Sequence, residues 1–111
     1  MPRYLPRKGD FVAVSFDPQA EHEQQGRRPA LVISNDLFNR RTGMAIVCPL
    51  TRTDRGYVFH IPVPSNLELT GFVMVEQVRA IDFSARHARL IAPAPQALLN
   101  EVLAVLDACL Y

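Results

Sequence analysis

Two short polar clusters stand where the sequence pattern places strand ends, and together they carry groups that can work on a phosphodiester. Glu23, Gln24, Gln25, Arg27 and Arg28 lead into an apolar run at Pro29–Ile33, and Thr51 and Arg52 leave another at Met44–Leu50. If those two strands pair, the clusters meet at one rim. A guanidinium brings fixed charge and two hydrogen bonds to phosphate oxygens. A hydroxyl donates one more, and a carboxylate takes up a proton. Such a set can stabilise a pentacoordinate phosphorane while the substrate's own 2′-hydroxyl attacks, which selects RNA over DNA by chemistry as well as by contact. Each residue alone also has a plainer reading. Glu23 can be a solvated loop acid, Arg28 a strand-end cap and Thr51 a turn residue.

Other chemistries find less support. No Ser-His-Asp or Cys-His set assembles from local signals, and the glycines (Gly9, Gly26, Gly43, Gly56, Gly71) are isolated rather than grouped to cradle a phosphate. His22, His60 and His87 are scattered without ligand spacing, so neither a metal site nor a cofactor is expected.

The elements that must position these residues follow from pattern. Phe11–Phe16 is rich in strand formers and ends at Asp17-Pro18. A polar loop of about a dozen residues then runs to Arg28, long enough to be functional. Pro29–Ile33 reads as a second strand, with its proline at the start. Ser34-Asn35-Asp36 reads as a turn or helix cap, Leu37–Arg41 as one helical turn, and Met44–Leu50 as a buried strand. Thr51–Gly56 is a polar turn. Tyr57–Val63 resumes the sheet, with Pro62 pointing to an edge or bulge. Pro64–Thr70 is a loop, and a strand beginning at Gly71 is expected to run on to Ile81. After a turn at Asp82–Arg86 comes a short strand, Ala88–Ile91. The period then changes. Leu98, Leu99, Val102, Leu103, Leu106, Cys109 and Leu110 recur at three and four residues, one face of a helix, with Pro95 at its first turn. Many short strands followed by one packed helix predict a mainly β fold, a small, strongly bent SH3-like barrel closed by a C-terminal helix.

Bulk composition agrees with one domain over 1–111. The chain has 111 residues, 49% hydrophobic and 21% charged, which excludes a disordered tail. No stretch has the make-up of a signal peptide or a membrane span, so a cytoplasmic protein without a membrane partner is expected. In that compartment Cys48 and Cys109, each in an apolar run, read as buried free thiols rather than a disulfide. The net charge of +1 does not by itself announce a nucleic-acid binder. Its distribution says more. Between Arg27 and Arg55 stand six arginines (27, 28, 40, 41, 52, 55) against two acids (Asp36, Asp54), so this stretch carries +4 and the remainder −3. Lys8 is the only lysine, and arginine is the better residue for forked phosphate contacts and base stacking.

The sequence also resembles a known family, on residues that span nearly the whole chain. Gly9-Asp10, Phe16-Asp17-Pro18 and the run Glu23-Gln24-Gln25-Gly26-Arg27-Arg28-Pro29-Ala30-Leu31-Val32-Ile33-Ser34 are similar to the N-terminal signature of MazF/PemK toxins. The likeness continues through Asn39, Thr42-Gly43-Met44, Pro49-Leu50-Thr51, Gly56-Tyr57 and Glu76-Gln77-Val78-Arg79. The resemblance implies an SH3-like, CcdB-like barrel and a homodimer. It implies the toxin of a type II toxin–antitoxin system: a sequence-specific endoribonuclease (an mRNA interferase) that cuts single-stranded RNA without metal and so inhibits translation and growth. The expected products carry a 2′,3′-cyclic phosphate and a 5′-hydroxyl. Single-stranded RNA (messenger RNA, with ribosomal and transfer RNA as alternatives) and a cognate antitoxin are the implied partners, with DNA met only through the antitoxin complex. The family's catalytic arginine falls on Arg28, its threonine on Thr51, and an acid of the loop on Glu23. Arg27, Gln24, Gln25, Arg52, Arg55, Gln77, Arg79 and Arg86 become candidates for the RNA groove, with Arg40 and Arg41 beside them, and Asp17 belongs to the same motif. Ser15 and Ala13 replace bulkier or acidic residues of some relatives, and Arg27 replaces a histidine, which bears on recognition sequence and cognate antitoxin. Two rival readings remain: a CcdB-like gyrase poison, which shares the barrel without a nuclease site, and a non-catalytic SH3-like binding module.

Overall fold

A computed structural model describes residues 4–16, 27–65, 67 and 69–111. The strands are β1 (Asp10–Ser15), β2 (Arg27–Val32), β3 (Met44–Thr51), β4 (His60–Pro62), β5 (Phe72–Met74), β6 (Arg79–Asp82) and β7 (Arg89–Pro93). Helix α1 (Asp36–Thr42) lies between β2 and β3, a 3-10 turn (Val75–Gln77) between β5 and β6, and helix α2 (Gln96–Leu110) after β7. All the strand pairings are antiparallel, in the order β4-β5-β3-β2-β1-β7, with β6 also on β3.

β3 organises the rest. Its N-terminal half, Met44–Val47, pairs with β6, and its last residues, Leu50 and Thr51, pair with β5. Pro49, which has no N–H for a ladder, sits between the two stretches. β6 on β3 and β7 on β1 are joined by the tight segment Phe83–Ala88, and this closes the sheet on itself. There the Ser15 N–H donates to the Arg86 carbonyl at 3.0 Å. Val12, Val14, Ala30, Val32, Ala45, Val47 and Ile81 fill the closed side, with Tyr4, Phe16, Phe83 and Ala88 packed against them. The other face carries Phe11, Leu31, Cys48, Leu50 and Val73, covered by Leu98, Leu99 and Val102 of α2. Apolar groups on both faces explain why the strands read as continuous apolar runs rather than alternations. Full burial of a leucine or valine contributes about 1.5–3 kcal/mol, so the three anchored residues of α2 hold the helix on the sheet.

α1 follows its sequence signals. Asn35 accepts the Phe38 N–H at 2.9 Å, and Gly43, in the left-handed region at φ 72°, returns its N–H to Asn39. The buried Asn39 side chain donates to the carbonyls of Pro6 (2.8 Å) and Ser34 (3.2 Å) and accepts from the Ser34 hydroxyl, tying the N-terminal segment to the end of β2.

Several expectations are corrected. The strand expected over Tyr57–Val63 is paired only at His60–Pro62, because the His60 N–H turns back to the Tyr57 carbonyl at 3.1 Å. The strand expected to run from Gly71 to Ile81 is broken by the 3-10 turn, where the chain steps from the end of β3 to its beginning. Cys48 is buried, and burial pushes its thiol up to about 12, but Cys109 is exposed. The apolar face of α2 continues in sequence beyond the surface that can cover it, leaving Leu110 68% exposed. The expected loop to Arg28 ends at β2, and its positions 17–26 lie outside the described residues.

Candidate active site

The β2–β3 register places the two polar clusters together. Ala30 faces Pro49, Leu31 faces Cys48 and Val32 faces Val47. Carried two positions further along each strand, the same register sets Arg28 opposite Thr51, just past the last paired position. Residues two apart on a strand share a face, and Arg28 and Thr51 do line one cleft of about 420 Å³. Arg27, Pro29, Leu50, Arg52 and Thr53 complete that side, and Leu69 and Thr70 of the β4–β5 loop form the facing wall. Among the described residues that line it three are arginines and none is acidic, which favours an anion.

Thr51 is half-buried at the end of β3 and paired to Phe72. Its Oγ1 accepts the Thr53 N–H at 3.2 Å. That bond fixes the oxygen and leaves the hydroxyl proton to be donated into the cleft. Arg28 is exposed, and its guanidinium has no hydrogen-bond or ion-pair partner among the described residues. It is thus available for a forked contact to two phosphate oxygens.

Arg27 is held differently. Its Nη2 donates to the Ala13 carbonyl at 2.8 Å and to the His87 carbonyl at 2.7 Å, so it latches β1 to the turn before β7 while lining the cleft. Arg79 and Arg86 gather at the end of β1: the Arg79 guanidinium sits 5.2 Å from the Phe16 ring centroid, and Arg86 Nη1 donates to the Phe16 carbonyl at 2.7 Å. Neither lines the cleft, nor do Arg55, Gln77, Arg40 or Arg41. Glu23, Gln24, Gln25 and Asp17 lie outside the described residues.

Sequence reasoning missed Leu69 and Thr70, which reach the cleft only through the β4–β5 turn. It also missed a pair beneath the β3–β4 loop. The His60 side chain is 2% exposed, and its Nε2 lies 2.8 Å from the Glu76 carboxylate, while its Nδ1 is buried with no partner among the described residues. Burial alone would raise Glu76, but hydrogen bonds from His60, from its own backbone and from Gln77, with the charge of His60, outweigh burial and hold the carboxyl below its usual value. Nothing in the chain order signalled this contact between β4 and the 3-10 turn.

The model of the PemK-like, MazF-like toxin family of type II toxin–antitoxin systems matches residues 7–110. The endoribonuclease toxin MazF of Escherichia coli K12 is 38% identical over 107 residues, covering 94% of this chain and 96% of that protein. The endoribonuclease toxin ChpB of the same strain is 42% identical over 106 residues, covering 91% and 90%. A crystal structure of MazE–MazF from Deinococcus radiodurans superposes with a TM-score of 0.86 at 35% identity, covering 97% of each chain.

Proposed function

The chain belongs to the PemK-like, MazF-like toxin family of type II toxin–antitoxin systems, and from that premise and the cleft geometry we propose that it is a single-domain cytoplasmic toxin cutting single-stranded RNA by attack of the substrate's 2′-hydroxyl. The observation that carries this reading is the convergence of Arg28 and Thr51 on one cationic cleft. Arg28 binds two non-bridging oxygens and neutralises the charge that grows on the phosphorane. The Thr51 hydroxyl, held by the Thr53 N–H, donates to one of the same oxygens. The 2′-oxygen bonds to phosphorus and the bond to the 5′-oxygen breaks, leaving a 2′,3′-cyclic phosphate and a 5′-hydroxyl. Glu23, the acid of the family motif, takes the 2′ proton. The leaving 5′-oxygen takes a proton from Arg28, whose guanidinium is a weak acid but a stronger one than the departing 5′-alcohol, and which regains the proton from solvent.

The mechanism asks nothing of an ion. Arg52, at the mouth of the cleft, holds a flanking phosphate. The likeness to MazE–MazF structures supports a cognate antitoxin as partner, whose acidic segment would compete for the same cationic cleft. A homodimer accords with the exposed apolar side chains Leu90 and Ile91 on edge strand β7.

Single-turnover cleavage of a single-stranded RNA tests the reading. Arg28→Ala should lower the rate by roughly 100–1,000-fold, the range for loss of one transition-state donor, with unchanged circular dichroism. Thr51→Ala should lower it by a smaller factor. A folded Arg28→Ala chain that cuts at the wild-type rate removes the proposal.

A further inference from the structure

Gly71 stands where no other residue fits without moving Thr51. Its φ is +126°, and a Cβ built on it would lie 2.4 Å from the Thr51 carbonyl oxygen, 3.2 Å from the Thr51 carbonyl carbon and 3.6 Å from Arg52 Cα. All three are backbone atoms, so none can swing aside as a side chain would. The glycine is held from its other side as well, because its carbonyl accepts the Val63 N–H at 2.9 Å. The next residue, Phe72, is paired to Thr51 across the sheet. Immediately before it stand Leu69 and Thr70, which line the cleft facing Arg28 and Thr51.

We infer that Leu69 and Thr70 form a working wall of the cleft, with Gly71 the positioning residue that seats Thr51 and the exposed Thr70 presenting a further hydroxyl to the bound RNA. This rests on the cleft being the RNA-cleaving site. The missing side chain at Gly71 lets the loop lie against the Thr51–Arg52 peptide. Displacing that peptide displaces Thr53 two residues on, and with it the N–H that fixes the Thr51 oxygen at 3.2 Å. A shift of about 1 Å in a group that meets the transition state costs roughly 100-fold in rate. The loop therefore sets the aim of the hydroxyl without touching the reacting atoms. Thr70, by contrast, touches substrate and contributes to binding.

A double-mutant cycle in the full chain separates positioning from general stability. Gly71→Ala should lower kcat by about 10- to 100-fold, with KM within a factor of about 3. Placed in Thr51→Ala, it should lower the rate no further. An equal loss in both backgrounds, or an unchanged kcat in the single variant, overturns the positioning role. So does a Gly71→Ala chain that is unfolded at 25 °C, since Gly71 would then serve folding. A direct readout covers the case in which Thr51→Ala has no measurable rate: the Thr53 amide resonance should move in Gly71→Ala, and an unmoved resonance overturns the claim. Thr70→Val should raise KM several-fold and leave kcat unchanged; an unaltered KM removes Thr70 from the substrate. If the wild-type chain cuts RNA and the cycle is additive, only this inference falls. If the wild-type chain cuts nothing, the proposed function falls and takes the inference with it.

Discussion

Two adjacent arginines share the start of β2 and do different things. Arg27 spends its Nη2 on the carbonyls of Ala13 and His87, whereas Arg28 is exposed and unpartnered among the described residues. Both line the cleft, but only Arg27 reaches carbonyls across β1 and the turn before β7. The two should therefore separate experimentally. Arg27→Ala should lower stability by about 1–2 kcal/mol, as expected for charge-assisted bonds that are partly exposed, while Arg28→Ala should leave it within about 0.5 kcal/mol. Urea unfolding of both variants checks this, and equal midpoints for the two would contradict it. Residue types and order were enough to set Arg28 and Thr51 in two polar clusters at strand ends, and the family resemblance then picked these two out of the clusters. They did not reveal that the Arg27 guanidinium is bound to backbone, since its partners are carbonyls, which every residue carries.

Elements explain what remained hidden. β1, β2, β3 and α2 were legible because each is an apolar run or a three-four repeat bounded by turn residues. α1 was legible from its Asn35 cap and Gly43 stop. The stretch from Gly56 to Asp82 was not. There the chain makes short pieces, β4, the 3-10 turn and β5, whose limits are set by where β3 changes partner, on either side of Cys48 and Pro49, and not by their own pattern. The cleft's β4–β5 wall and the His60–Glu76 contact both fall in that stretch. The second has a measurable consequence. The carboxyl of Glu76 is held below its ordinary 4.5 in the folded chain, so the native state favours its ionised form. The stability this gives is fully present above about pH 4.5 and is lost as pH falls below it, through the folded value. Urea midpoints for the wild-type chain should drop between about pH 5 and pH 3, and Glu76→Gln should show a shallower drop over that range. Parallel curves would show that Glu76 contributes nothing to acid sensitivity.

For the molecule as a whole, a net charge of +1 hides a cationic cleft. The barrel achieves this by bringing Arg27, Arg28 and Arg52 from two strands to one end while the acids lie elsewhere among the described residues. The same closure leaves β7 exposed along its length and the end of α2 uncovered, surface that a second copy or an antitoxin would bury. The proposed chemistry requires a substrate bearing a 2′-hydroxyl. The most direct measurement is digestion of a long single-stranded RNA by the wild-type chain in EDTA, with chemical mapping of both new ends. The account predicts undiminished cutting that leaves 2′,3′-cyclic phosphates and 5′-hydroxyls, and no cutting at a site whose 2′-hydroxyl is replaced by hydrogen. Loss of cutting in EDTA, 5′-phosphate ends, or cleavage of the 2′-deoxy site would contradict it.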